Sequence, residues 1–131
     1  MERSWIHGAI TGCEAPEVLH GEEAGREADV YSLGAILYLM LTGRRTLTQR
    51  AAGPAAIREI LERDPERPRT VNKCVDRALE SICLRCLAKQ RTRRYDSAAS
   101  LGDELARWRL NALQPGLIGR LRRRFLGRAG R

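Results

Sequence analysis

The amino-acid sequence predicts an all-α domain. From Val30 to Thr42 the chain runs without a charge and closes on Gly43. Two later stretches, Leu79, Ile82, Cys83, Cys86, Leu87 and then Ala98, Leu101, Leu105, Trp108, repeat apolar residues at the helical period. No segment makes a convincing strand.

Five helices follow in order. Pro16 opens a short first one, since proline suits a first turn; it ends near Gly21, and a polar loop leads to Arg26. The second runs from about Ala28 to Thr42, with Asp29 near its start and Gly43 as its stop. Being apolar nearly all round, it must be buried on more than one side. It is also shorter than the roughly 20 apolar residues that span a bilayer. A basic, irregular stretch, Arg44 to Gly53, separates it from a third helix that starts at Pro54. There Ile57, Ile60 and Leu61 share an inward face, and Pro65 ends the element. The fourth runs from about Asp76, its cap, to Lys89, whose charge suits the C-terminal dipole. The fifth begins after a cap at Asp96 or Ser97. Asn111 to Gly116 is expected as a break, and Leu117 to Leu126 as a short basic helix. No internal repeat is present.

With 131 residues, 43% apolar and 31% charged, the chain suits one modest folded domain. Its net charge of +8 is unevenly spread. Every acid lies at or before Glu104, residues 1–106 balance to zero, and the excess is Arg107, Arg109, Arg120, Arg122, Arg123, Arg124, Arg128 and Arg131. The high isoelectric point therefore describes a tail and not a nucleic-acid-binding fold. Met1-Glu2-Arg3-Ser4-Trp5 lacks the pattern of a secretion signal, so a cytoplasmic home and reduced cysteines are expected. Cys83-x-x-Cys86 has no second pair at metal spacing, and His7 and His20 are distant in sequence. Both cysteines sit on the apolar stripe, so they are assigned to the core and no metal is expected.

Ala15-Pro16-Glu17, then Asp29-Val-Tyr-Ser-Leu-Gly34, then Leu79-Glu-Ser-Ile-Cys-Leu-Arg-Cys-Leu-Ala-Lys89 with Arg94-Tyr95-x-Ser97-Ala98, occur in this order. Together they resemble bacterial serine/threonine protein kinases, especially the large receptor-like kind of planctomycete-type genomes. The first is similar to the A-P-E that closes the activation segment, the second to the D-x-W/Y-S-x-G of the central C-lobe helix, the third to the closing helices. The likeness covers roughly residues 8–115. It implies a truncated kinase C-terminal lobe: residues 1–14 an activation-segment remnant, 15–110 the partial lobe, 111–131 a basic tail, flexible or amphipathic. It also implies roles. Glu17 would pair with Arg94, Asp29 would accept hydrogen bonds from the catalytic-loop backbone, and Gly34 would allow close helix packing. All three roles are structural, and no catalytic residue is assigned.

Phosphoryl transfer in this family needs a Gly-rich loop, a lysine paired to a glutamate, an H-R-D aspartate and a D-F-G aspartate. None of these motifs occurs in the 131 residues, and the only lysines, Lys73 and Lys89, lie C-terminal to where a phosphate-binding lysine would stand. The family uses ATP and magnesium; no cofactor site is expected in this chain. The surviving edge also departs from pattern. Gly8-Ala-Ile-Thr-Gly-Cys-Glu14 replaces the usual Gly-Thr-x-x-Tyr-Met, and Gln90-Arg91 stands where Asp-Pro is usual. A truncated or decaying copy fits these departures better than a specialised pseudokinase.

Without the catalytic loop and the helix before it, the central helix is expected to leave some of Leu33, Ile36, Leu37 and Met40 uncovered, giving a marginal fold or one that needs a partner chain. In the tail, Leu117, Leu121 and Phe125 recur every fourth residue among arginines. Either this segment is solvated and disordered, or it touches an anionic membrane weakly through Arg120, Arg122, Arg123 and Arg124, at the inner face. Specific nucleic-acid binding is not expected, because Phe125 is the only aromatic there. Three readings result: a kinase fragment not competent alone, a non-catalytic interaction module using the open helix face, or a membrane-surface peptide on a helical scaffold.

Overall fold

The computed structural model describes residues 11–46 and 53–113. Six α-helices and one 3-10 turn occur among them, and no strand: α1 Pro16–Leu19, α2 Arg26–Thr42, α3 Gly53–Glu62, α4 Pro68–Val71, α5 Arg77–Cys86, the 3-10 turn Arg91–Arg93, and α6 Ala98–Leu113. The domain is all-α. No described helix is long and apolar enough to cross a membrane. The expected helix over 117–126 lies outside the described residues, as do His7, Arg120, Arg122, Arg123 and Arg124.

The central element is α2, which meets α4, α5, α6 and the 3-10 turn. Glu27 and Asp29 lie in its first turn, where carboxylates complement the helix dipole. Gly43 ends it in a left-handed conformation, φ 69°, and donates its N–H to the Leu39 carbonyl at 2.8 Å. Two sides of α2 are buried. Ala28, Tyr31, Ala35 and Tyr38 join Ala15, Ile60, Cys83 and Leu87 in one cluster. Val30 joins Ile82, Cys86, Tyr95 and Leu101 in a second, and Leu37 packs against both. The third side is open: Leu33, Ile36, Leu39 and Met40 are exposed, Met40 at 76%.

Several boundaries differ from expectation for identifiable reasons. Asp76 caps α5 through Ala78 N–H at 2.9 Å and Leu79 N–H at 3.1 Å, but α5 stops at Cys86 and not at Lys89. The Ala88 and Lys89 carbonyls turn away to accept hydrogen bonds from Arg94, so Lys89 does not serve as a helix C-terminus. Asn111, Ala112 and Leu113 do not break α6; nothing in them opposes helix, and the disfavoured position is the one before Pro115. On α6 the stripe is partial, with Leu101 buried, Leu105 and Trp108 half-buried and Ala98 exposed. On α3, Ala56 and Ile60 are buried, whereas Ile57 and Leu61 are half-buried. Trp108 donates its indole N–H to Asp76 Oδ1 at 3.0 Å, tying α6 to the start of α5.

At the crossing of α2 and α5, Gly34 lies against Cys86. A Cβ added there would collide with the Cys86 Cβ, which is rigidly attached to the α5 backbone. Cys83 reaches the Gly34 carbonyl at 3.6 Å. In an unhindered helix interior, Gly→Ala stabilises by about 0.5–1 kcal/mol. Here Gly34→Ala should instead destabilise by about 1–3 kcal/mol through overpacking, measured by the urea midpoint; a midpoint raised by the alanine would disprove the contact.

Candidate functional site

Arg94 follows the 3-10 turn and points into the interior, its side chain 0% exposed. A guanidinium carries five N–H donors and no acceptor, and all five are used. Nη1 donates to Glu17 Oε1 at 2.7 Å and to the Glu27 carbonyl at 2.9 Å. Nη2 donates to Glu17 Oε2 at 2.8 Å and to the Lys89 carbonyl at 3.1 Å. Nε donates to the Ala88 carbonyl at 2.7 Å. The Tyr31 ring lies 5.0 Å from the guanidinium carbon, within cation–π range. One side chain thus holds α1, the first turn of α2 and the loop after α5.

The pairing with Glu17 is bidentate, the geometry that suits arginine and that lysine cannot reproduce. Burial alone would raise the Glu17 carboxyl. Hydrogen bonds from Arg94 and from its own backbone, with the charges of Arg94 and Arg91, outweigh that and hold it below the ordinary carboxylate value. Burial pushes the Tyr31 phenol up to about 12, so the ring beside the guanidinium stays uncharged.

The four residues singled out in the sequence occupy three different places. Glu17 and Arg94 are together. Gly34 is at the α2–α5 crossing. Asp29 is exposed on α2 and shares its open side with Leu33, Ile36 and Met40; among the described residues no side-chain bond to it is seen.

Sequence reading missed several contributors. Ser32 donates to the Cys13 carbonyl at 2.7 Å, fastening the segment before α1 to α2. Tyr31 and Ser32 both lie inside the D-V-Y-S-L-G stretch, which was the signal available. Glu80 is buried, accepting from Arg69 N–H at 2.7 Å and from Arg67 Nη2 at 3.1 Å. Burial would raise its carboxyl, but these bonds and the two arginine charges lower it. Glu14 accepts from Thr11 Oγ1 at 2.9 Å and Gly12 N–H at 2.9 Å, closing a tight turn in which Gly12 takes φ 86°.

The arrangement positions chain segments. Both Glu17 oxygens are committed to Arg94, so that carboxylate is no free base. Cys83 and Cys86 are buried, and burial pushes their thiols up to about 12 and about 11, which leaves them unreactive. A shallow cleft of about 290 Å³ opens beside the ion pair, between α1, α3 and the loop after α5, but no glycine-rich turn cradles it. Among the described residues no group of three His, Cys, Asp or Glu side chains is placed to hold a metal ion.

Residues 12–104 match the protein kinase domain family. Serine/threonine-protein kinase Pkn1 of Myxococcus xanthus is 37% identical over 91 residues, 70% of this chain and 13% of that protein. Serine/threonine-protein kinase PknB of Mycobacterium tuberculosis is 33% identical over 93 residues, and its counterpart in Mycolicibacterium smegmatis 34% over 93. Each of these two alignments covers 71% of this chain and 15% of the relative. The chain thus spans about one-seventh of the length of these relatives.

Removing one partner of a buried pair strands the other, at a cost of about 3–5 kcal/mol. Arg94→Ala and Glu17→Ala should each lower stability by that amount in urea melts, and Arg94→Lys should recover little of it. The double variant should lose much less than the two single losses added together; simple additivity would show the pair to be uncoupled. Acid should weaken the fold as well. Glu17 and Glu80 have folded values below the ordinary 4.5, so their contribution is present above that value and disappears as pH falls through the folded values. Thermal melts taken downward from pH 6 should show this decline, and Glu17→Gln should flatten it.

Proposed function

The chain belongs to the protein kinase domain family, and from that premise we propose that it supplies C-terminal-lobe scaffold to a bacterial serine/threonine protein kinase. The reaction class is transfer of the ATP γ-phosphoryl group to serine or threonine hydroxyls. The observation that carries this reading is the buried, bidentate Glu17–Arg94 pair, which joins the A-P-E stretch to the segment before α6 across 77 residues of sequence. In this reading Glu17 and Arg94 fix the end of the activation segment, and Asp29 waits on the open side of α2 for the catalytic-loop backbone. These 131 residues are not competent alone, because the groups that grip nucleotide and metal are not among them.

The narrower affiliation with receptor-like kinases of planctomycete-type genomes rests on the three stretches Ala15–Glu17, Asp29–Gly34 and Leu79–Ala98 taken together. A cytoplasmic location rests on the same family likeness. Residues 1–14 are assigned to a remnant of the activation segment, 15–110 to the partial lobe and 111–131 to a basic tail.

A second reading, a non-catalytic interaction module, is favoured by one observation: the open side of α2 offers Leu33, Ile36, Leu39 and Met40 to a partner. Exposed apolar surface of this kind marks an interaction site or an aggregation liability.

Calorimetric titration of the purified chain with magnesium-ATP should give no tight binding, and incubation with labelled ATP and a serine-rich protein should transfer no phosphate. Tight, magnesium-dependent binding would overturn the assignment of a scaffold without a nucleotide site. Stable co-purification with an otherwise intact, active kinase would favour the interaction module.

A further inference from the structure

The outer side of α6 carries a second apolar stripe. On a helix of 3.6 residues per turn, Leu101, Leu105 and Trp108 face the core, while Ala106, Leu110 and Leu113 fall on the opposite side. Leu110 is 59% and Leu113 70% exposed. Arg109 borders this stripe on one flank and Arg107 on the other. Arg107 also reaches back to Glu104 Oε2 at 3.1 Å. Charge is graded along the helix: Asp103 and Glu104 lie in its first half, and every charged residue after Glu104 is an arginine.

We propose that the outer face of the last two turns of α6 lies on an anionic lipid surface. Leu110 and Leu113 sit at the boundary between headgroups and acyl chains, and Arg107 and Arg109 meet lipid phosphates on either side. Apolar residues flanked by arginines form the pattern of a helix that lies in the membrane interface. Arginine suits the flanks because its stem can cover apolar surface while its head stays with the phosphates.

Other occupants fit less well. A second copy pairing through the same stripe would oppose Arg107 and Arg109 of both molecules, with no acid at that end to separate them. Nucleic acid would satisfy the arginines and leave two leucines in water. An anionic bilayer satisfies both. The inference does not depend on the kinase scaffold reading, since it uses only the face of α6 turned away from the lobe.

The test is flotation of the full 131-residue chain with vesicles of equal parts phosphatidylglycerol and phosphatidylcholine, and with phosphatidylcholine alone. Binding is expected to the first, weakening with salt, and not to the second. Leu110→Gln with Leu113→Gln should reduce partitioning at least about tenfold. Arg107→Gln with Arg109→Gln should reduce it about fivefold per arginine. All four side chains are exposed and glutamine is a good helix former, so circular dichroism should show unchanged helix content. Equal binding to both vesicle types, or leucine variants that bind like the parent, would overturn the proposal. So would duplex DNA binding that outcompetes the vesicles, or self-association that the leucine substitutions abolish.

Discussion

Much of this domain's geometry depends on one guanidinium taken out of water. Moving a charge into the interior costs several kcal/mol unless its geometry is fully satisfied, and Arg94 is satisfied at every donor. Its partners come from three places that share no local hydrogen-bond ladder: the carboxylate of α1, a carbonyl of the first turn of α2, and two carbonyls just past α5. The early end of α5 is part of the same arrangement. Had the helix continued to Lys89, the Ala88 and Lys89 carbonyls would point along its axis instead of toward Arg94. Because Glu17 and Arg94 are 77 residues apart, the pair forms only when the helices between them are packed. It therefore rewards the assembled lobe and no partial version of it.

The second constraint is the width of α2. Its buried sides combine small residues, Ala28, Gly34 and Ala35, with large ones, Tyr31 and Tyr38, and at Gly34 the α5 backbone comes near. Gly34 sets the approach of α5, which brings Cys83 and Cys86 into two different clusters from a single turn. Both cysteines are thus buried among apolar neighbours, as the apolar stripe in the sequence leads one to expect. Ser32 then uses its hydroxyl to bond the Cys13 carbonyl, so α2 anchors the chain ahead of α1 as well as the elements behind it.

Local patterns in the sequence were enough for the long elements. The uncharged run of α2, the stop at Gly43, the Asp76 cap and the apolar stripe of α5 each act within a few residues. Features set by distant partners were less accessible. The Glu17–Arg94 contact had no local signature and was reached only through family likeness. The short elements α4 and the 3-10 turn are too brief to show a period. Glu80 reads as a surface acid until α4 brings Arg67 and the Arg69 N–H over it. The break expected from Asn111 came too early, since α6 runs through Leu113, and its remaining positions, 114–116, lie outside the described residues.

The buried side of this packing is held by ion pairs made within the domain. Among the described residues Arg94 is paired with Glu17, and Glu80 with Arg67 and the Arg69 backbone, while Arg69 Nε is buried without a hydrogen-bond partner. What stays open is confined to surfaces, and on α2 it is a narrow strip in which Asp29 stands at one end of Leu33, Ile36 and Met40. Three exposed apolar side chains beside one acid are poorly arranged for water along most of that strip. Ion pairs close one side of the described residues, while the strip on α2 keeps Leu33, Ile36, Leu39 and Met40 in contact with solvent.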